Sequence, residues 1–434
     1  MSNATRHPST YGTLRHPNPH PRQTGEAGAG QPWRRPIRLL TFSTLFPNTA
    51  QPHHGVFVEN RLRHLVATGA VESTVLAPVP WFPGRTPPRS ALQAIESRSG
   101  LKVHHPRFIA PPGIGMYTNP LSLWAAARAA IRRLHAAGQE FDAIDAHYVY
   151  PDGVVAVWLG AEFRKPVVVT ARGSDVSLLP RYVLPRRLIA GAIAGADALV
   201  AVSAALAEGL IALGAPREKV TVLRNGVDLA MFRPPADRAV LRAEFGVRGP
   251  MLLSVGLLIE RKGHHLIIEA LRDMPGHDLL IVGEGPDRAA LEACAREHGV
   301  TDRVRLLGAV RHEDLRRVYA AADALVLASS REGWANVLLE AMACGTPVVA
   351  APAWGSREAV RAPEAGIVVE ERSAAALVDG IRRLLAAPPD RPATRAYAEQ
   401  FGWEETTRGQ IDLFRRVTGC DERPFPAGGG SGAF

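Results

Sequence analysis

Apolar positions along this chain fall into short runs at two spacings. Ile37-Arg38-Leu39-Leu40-Thr41-Phe42, Ser73–Leu76, Ala143–Ala146, Pro166–Thr170, Ala198–Val202 and Val220–Leu223 are brief runs rich in Val, Ile, Leu and Ala, the signature of strands buried on both faces. Helical spacing covers Phe57–Thr68 and Leu121–Ala137 and starts again over Val154–Leu159. Between Ala77 and Gly113, Pro and Gly punctuate the pattern so often that mostly loop is predicted. Past residue 250 the rhythm repeats. Strands at Met251–Val255, Asp278–Val282, Val304–Leu307, Ala324–Leu327 and Pro347–Ala350 alternate with helices at Gly263–Leu271, Asp287–His298, His312–Ala320 and Trp334–Ala343.

This alternation predicts an α/β protein of two Rossmann-like domains, each a parallel sheet covered by helices, with the sheets facing a central cleft. Such sheets bind ligands beyond the carboxyl ends of their strands. The boundary falls near Phe232-Arg233-Pro234-Pro235, giving domains over 37–234 and 235–402. A final helix from Trp403 to Val417, within a segment 403–420, is placed to strap back onto the first domain. Residues 1–36 are rich in Pro, His, Gly and Arg without apolar periodicity and read as a disordered leader; 421–434, with Gly428-Gly429-Gly430-Ser431-Gly432, read as a disordered tail.

Composition narrows the class. Apolar residues at 46% and charged residues at 21% of 434 are those of a globular chain with ample core. Three cysteines, none in a CxxC pair, give no disulfide framework and fit a reducing cytosol. No run of 18 uncharged apolar residues calls for a membrane span, and the N-terminus lacks the apolar core of a signal peptide. The net charge of +9 is partly in the leader, where Arg6, Arg15, Arg22, Arg34 and Arg35 face only Glu26. It is compatible with an arginine-rich soluble enzyme, or with peripheral contact to an anionic membrane on its cytoplasmic face. No finger or aromatic RNA-binding signature points to nucleic acid.

The most telling segment is Glu332-Gly333-Trp334-Ala335-Asn336-Val337-Leu338-Leu339-Glu340. With a helix from Trp334, Glu332 stands at the loop-to-helix junction and Glu340 roughly 12 Å further along the axis. The helix N-terminus between them offers free N–H groups and partial positive charge, which suit a diphosphate. Two carboxylates so spaced could bracket an extended ligand through its hydroxyls; the plainer alternative makes them a capping acid and a solvated helix residue. Arg261 and Lys262, in Gly256-Leu257-Leu258-Ile259-Glu260-Arg261-Lys262-Gly263, follow one strand and precede a helix, where two cations can neutralise two phosphates. Gly283 and Gly285 close the next strand and let a flat ring approach the backbone. In the first half, His147 ends a strand, Gly55 follows His53-His54, and Arg172-Gly173-Ser174-Asp175 and Asn225-Gly226-Val227-Asp228 form further loops. The histidines lack the fixed spacing a metal site needs, so no metal is expected.

In combination and in this order, these motifs over about 37–417 resemble the retaining glycosyltransferases of family 4, which have the GT-B fold. Glu332 to Glu340, running on into Ala341-Met342-Ala343-Cys344-Gly345-Thr346-Pro347-Val348-Val349, matches the family's two-glutamate motif and trailing strand. The resemblance implies transfer of a sugar from a nucleotide-diphosphate donor, most simply UDP- or GDP-linked, to a saccharide or lipid-linked acceptor in surface polysaccharide or glycoconjugate synthesis, without a cofactor. It implies that Glu332 binds the donor sugar, Glu340 the ribose and Lys262 the diphosphate, with Gly283 and Gly285 near the nucleobase. Gly333, Trp334, Ala335 and Asn336 would complete the donor site, His147 would touch the transferred sugar, Gly55 would lie by the phosphate, and Arg172 to Asp175 would shape the acceptor side. One position departs from the family pattern: Leu257 stands where an arginine is usual, and Arg261 is the expected replacement. A same-fold sugar-nucleotide epimerase and a non-catalytic sugar-nucleotide-binding partner are the alternatives. A nicotinamide dehydrogenase is disfavoured by the lack of a complete GxGxxG after a strand.

Overall fold

The computed structural model describes residues 35–84, 92–247 and 249–419. Most of the leader and the tail therefore lie outside the described residues. The first half is built on an eight-stranded sheet in the order Val220–Val222, Ala198–Ala201, Val167–Ala171, Ala143–His147, Ile37–Phe42, Val71–Leu76, Leu101–His104, Ile95–Arg98. All neighbours are parallel except the last pair, an antiparallel hairpin edge. The second half is a six-stranded, wholly parallel sheet in the order Val304–Gly308, Asp278–Val282, Met251–Val255, Ala324–Leu327, Val348–Ala350, Gly366–Val368. The central strands Ala143–His147, Val167–Ala171 and Met251–Val255 are buried at every residue, as helices on both faces require.

Strand order locates the crevices. In the first sheet the chain runs outward in both directions from the boundary between Ile37–Phe42 and Ala143–His147. In the second it does so from the boundary between Met251–Val255 and Ala324–Leu327. The loops leaving adjacent strands diverge at such a switch point and open a crevice at the carboxyl ends. His147 ends a strand at the first switch point. The loops carrying Arg261, Lys262 and Glu332 flank the second.

The described residues of the Pro/Gly-rich stretch 77–113 are mostly loop, as expected, but not entirely. They contain the short strands Val79–Trp81, Ile95–Arg98, Leu101–His104 and Arg107–Ile109. Edge and satellite strands tolerate Pro, because part of their backbone needs no ladder partner. The helix expected from Leu121 begins at Gly115, with Pro120 inside it; the Met116 carbonyl, which a residue 120 N–H would otherwise bond, accepts from the Tyr150 hydroxyl. The strand Ala198–Ala201 is flanked by two helices, Val183–Gly195 and Ala204–Ala212. Helices at Arg238–Glu244, Trp354–Ala359, Ala374–Ala386 and Arg391–Ala398 add to those expected.

The last helix, Trp403–Thr418, crosses back as its position suggested. Ile411, Leu413 and Phe414 bury themselves in a core shared with Val58, Leu62 and Leu65 of the first helix. The chain returns beside the 224–227 segment. There the Val227 N–H donates to the Phe401 carbonyl, and a Cβ on Gly226 would stand 2.8 Å from the Trp403 backbone nitrogen. Only glycine allows that approach.

Candidate active site

In the second half, three loops interlock above the switch point. Gly263, at φ +72°, lies so close to the end of the neighbouring strand that a Cβ would meet the Ala328 carbonyl oxygen at 2.1 Å. Gly283 is pressed on the Gly256 carbonyl at 1.8 Å by the same measure, and Gly285 on Leu258 at 2.3 Å. These glycines are therefore required by backbone packing of the 256–263 and 283–285 loops, whatever else approaches them.

That packing brings Lys262 and Glu332 together, 70 residues apart in sequence, with Nζ 2.6 Å from Oε1. Arg261 does not pair with an acid there: its Nη1 donates to the Arg331 carbonyl at 3.1 Å, and the Ser330 N–H donates to the Arg261 carbonyl. The basic pair thus holds both the side chain and the backbone of the glutamate loop. Leu257, the position without the family arginine, is exposed.

Glu332 lies on a loop, because the helix starts at Asn336 rather than Trp334. The separation of Glu332 and Glu340 is therefore not the helical rise the sequence suggested. Ala335 caps the helix without a side-chain bond, and the Leu338 N–H donates to its carbonyl at 3.0 Å. Glu340 is not solvated. It is buried, accepting from Tyr319 Oη at 2.7 Å on one oxygen and lying 3.0 Å from His312 Nε2 on the other. Burial pushes the His312 ring down, but the Glu340 carboxylate outweighs it and raises the ring above the usual histidine value. His312 and Tyr319 were not foreseen, since only folding brings them to Glu340.

Beneath the basic loop sits His264, also unforeseen. Its Nδ1 is 2.9 Å from Ser254 Oγ and its Nε2 3.2 Å from the Leu257 carbonyl. Burial lowers its pKa to about 4, so it is a neutral prop for the loop.

The first half presents a different chemistry. His147 is 1% exposed, and its ring is committed on both sides. Arg172 Nη2 donates to Nδ1 at 2.6 Å, so the ring proton belongs on Nε2, which faces Asp145 Oδ2 at 3.1 Å. Burial holds His147 below its usual pKa. Burial pushes the other way on Asp145, but His147, Arg61 and Arg172 together hold its pKa below the ordinary value. The His147 ring, which the resemblance places near the transferred sugar, is thus held here between Arg172 and Asp145. Gly55 likewise has a structural cause: at φ +72° a Cβ would meet the Leu45 carbonyl carbon at 2.3 Å.

Asn225 joins the halves. Its Oδ1 accepts from Arg61 Nη1 at 3.2 Å and Arg172 Nη1 at 3.1 Å, and its Nδ2 donates to Asn336 Oδ1 at 3.3 Å. Its carbonyl accepts from the Trp334 indole at 3.0 Å. The Trp334 and Asn336 side chains, expected at the donor, are thus committed to the junction. Gly333 and Ala335 are packed against it too, and a Cβ on Gly333 would stand 2.0 Å from the Arg172 carbonyl oxygen. Asp175 accepts from the N–H groups of Val149, Arg172 and Gly173 and fixes the loop opposite. Among the described residues, no group of three or more His, Cys, Asp or Glu is placed to hold a metal.

A loop-borne acid and base at one switch point, facing a second parallel sheet across a glycine-tight junction, invite comparison with known proteins. A family model described as "Glycosyltransferase Family 4" matches residues 54–231, and one described as "Glycosyl transferases group 1" matches 239–401. A protein of Catenulispora acidiphila named D-inositol 3-phosphate glycosyltransferase 1 is 32% identical over 427 residues, which is 90% of this chain and 98% of that one. The chain belongs to glycosyltransferase family 4. It is an enzyme that transfers a sugar. A similarly named protein of Xylanimonas cellulosilytica is 34% identical to this transferase over 304 residues, 64% of this chain and 72% of that one. Among solved structures, sucrose-phosphate synthase from Thermosynechococcus elongatus superposes with a TM-score of 0.72 at 22% identity, covering 89% of this chain and all of that one. Anabaena HepE in complex with UDP and glucose gives 0.70 at 20% identity, covering 88% of this chain and all of that one. At these identities the likeness speaks for the fold of the transferase, which is GT-B.

Proposed function

We propose that the transferase takes its sugar from a nucleotide-diphosphate donor, UDP- or GDP-linked, bound across the second switch point, and passes it with retained configuration to a saccharide or lipid-linked acceptor on the first half. The observation that carries this reading is the Lys262–Glu332 pair. Each group satisfies the other, and a diphosphate is a better partner for the lysine than one carboxylate is. Donor entry would move Lys262 onto the phosphates and release Glu332 to accept from sugar hydroxyls. The N-terminal end of the helix Asn336–Ala343 adds to the phosphate field, and Arg261 keeps the loop in register. Glu340, with one oxygen on Tyr319 and one near His312, still has lone pairs for a ribose hydroxyl.

Charge develops on the leaving phosphate as the glycosidic bond breaks, and fixed cations stabilise it there. The leaving phosphate oxygen also serves as the base for the acceptor hydroxyl on the same face, so no protein nucleophile is invoked. His147 acts as a positioning residue, holding Arg172 and the loop to Asp175 at the acceptor side. Work on a lipid-linked acceptor would place the enzyme peripherally at the cytoplasmic face of a membrane. The relatives named for D-inositol 3-phosphate make a phosphorylated cyclitol the second acceptor class.

A thermal-shift screen against UDP-, GDP- and ADP-sugars tests the donor, since a ligand that binds only the folded state raises its melting temperature. One nucleotide series should stabilise, and stabilisation by none would refute the reading. Incubating that donor with no acceptor, with a phosphorylated cyclitol, and with a lipid-linked saccharide then sorts the acceptors. Rapid epimer formation without acceptor would favour an epimerase.

A further inference from the structure

One short helix of the second half, Trp354–Ala359, reaches across to the first. It is seated on the glutamate loop. The Gly355 N–H donates to the Glu332 carbonyl at 3.0 Å, and a Cβ on Gly355 would stand 2.8 Å from the Gly333 carbonyl oxygen. The Glu358 side chain then leaves the second half. Its Oε1 accepts from the Ala205 N–H at 3.0 Å, and its Oε2 accepts from Arg224 Nε at 2.9 Å and Nη2 at 2.7 Å. The Glu358 side chain is 10% exposed, while Arg224 stands at the rim at 36%.

Helix chemistry explains the contact. Ala205 lies in the first turn of the helix Ala204–Ala212, whose leading N–H groups have no partner within the helix. Ser203 caps one of them, its Oγ accepting from the Leu206 N–H at 3.3 Å. Another, on Ala205, is capped by a carboxylate from the other half, which also suits the helix dipole. The same helix packs on Ser174–Ser177 at the acceptor side. A Cβ on Gly209 would meet Val176 of that segment at 2.6 Å and the Trp354 ring at 3.8 Å. A continuous run of bonds and close packing therefore joins the Arg172–Asp175 loop, through Glu358, to the backbone of Glu332.

We infer that Glu358 is a positioning residue for the transfer: it caps a first-half helix from the second half, and in doing so sets the Glu332 loop against the acceptor side. An ion pair with one partner at the rim is weak enough to open and re-form, and both the Ala205 amide and the carboxylate find water when it opens. The link therefore holds the two halves in register without fusing them. Its use in transfer rests on the reading above, in which Glu332 meets the donor sugar, while the cap itself does not.

Hydrogen exchange of the full chain, with no donor present, reads the cap at the Ala205 amide. Exchange there should be about tenfold faster in Glu358→Ala than in wild type, with the amides of Met251–Val255 unchanged. Kinetics then read its use. Glu358→Ala and Arg224→Ala should each lower kcat about tenfold and leave nucleoside diphosphate affinity within about twofold, because the second half alone holds the diphosphate. The double variant should lose no more than the worse single one, since both act through one contact. Arg224→Ala cuts the pair at its exposed end and so carries the kinetic test by itself if Glu358→Ala does not fold. A merely structural tie would lower the melting temperature and leave kcat where it is. An Ala205 amide that exchanges in Glu358→Ala at the wild-type rate, wild-type kcat in either single variant, or additive losses in the double variant would overturn the inference. A wild type that turns over no nucleotide sugar would instead overturn the proposed function, and the exchange result would still decide whether Glu358 joins the halves.

Discussion

The two switch points hold polar groups in opposite states. In the first half, Arg61, Asp145, His147, Arg172 and Asn225 are tied largely to one another and shut away from solvent. Burial lowers the Arg61 pKa to about 10 and that of Arg172 to about 9, which leaves both charged at neutral pH. In the second half the Lys262–Glu332 pair is partly open, with side chains 16% and 10% exposed, and the helix beside it has no side-chain cap. A buried network fixes shape, because breaking it leaves unpaired charge in a dry place. A pair at the edge of a crevice can exchange partners at small cost. The enzyme thus keeps its first half rigid and leaves its ligand-exchanging charges in the second.

The sharpest way to break that contrast is to remove an exchanging group. Glu332→Ala should lower kcat at least about a hundredfold, near the 3 kcal/mol typical of a lost transition-state contact, with the melting temperature little changed. Steady-state kinetics on the donor found by the thermal-shift screen would check it. A comparable loss of stability would make Glu332 structural and erase the contrast.

Next is the dry prop under the basic loop. His264 titrates at about 4 when folded against about 6.5 unfolded, so the unfolded chain binds more protons between these values. Its contribution is complete above pH 6.5 and disappears as the pH falls toward 4, about 3 kcal/mol in all. Urea unfolding of wild type and His264→Asn at several pH values should show a shallower acid loss in the variant. Parallel curves would contradict the prediction.

At the junction, Asn225→Ala would leave two buried guanidinium N–H groups without their acceptor and should cost about 2 kcal/mol in urea unfolding. A neutral substitution would show that the first-half network does not depend on its link to the second. The smallest effect expected is that of Arg261→Ala, about a tenfold loss of kcat/KM, because its guanidinium positions the Arg331 backbone. A loss as large as that of Glu332→Ala would mean that Arg261 itself meets the phosphates.

The sequence made the sheets legible because buried parallel strands are short unbroken apolar runs, and the six from Ile37 to Val222 and the five from Met251 to Ala350 have little else they could be. It hid the strands of 77–113, where edge positions tolerate proline; the helix Ala374–Ala386, with Leu377, Val378, Ile381 and Leu384 at helical spacing, was legible but lies beyond the alternation read. The site was legible where a motif is local: Lys262 and Glu332 each stand at a strand's carboxyl end, and strand order brings those ends together. It was not legible where partners are distant. Nothing near Glu340 announces His312 or Tyr319, nothing near His147 announces Arg172, and nothing near Trp334 announces the Asn225 carbonyl that its indole meets. Gly55, Gly283, Gly285 and Gly333, singled out for a ligand, each also have a backbone neighbour that excludes a Cβ.

The central claim is that the diphosphate takes Lys262 from Glu332. Calorimetric titration of the preferred nucleoside diphosphate into wild type, Lys262→Ala and Glu332→Ala tests it directly. Lys262→Ala should weaken binding at least about tenfold, and Glu332→Ala should bind as tightly as wild type or tighter, since it frees the lysine. Wild-type affinity in Lys262→Ala, or an equal loss in both variants, would contradict the account.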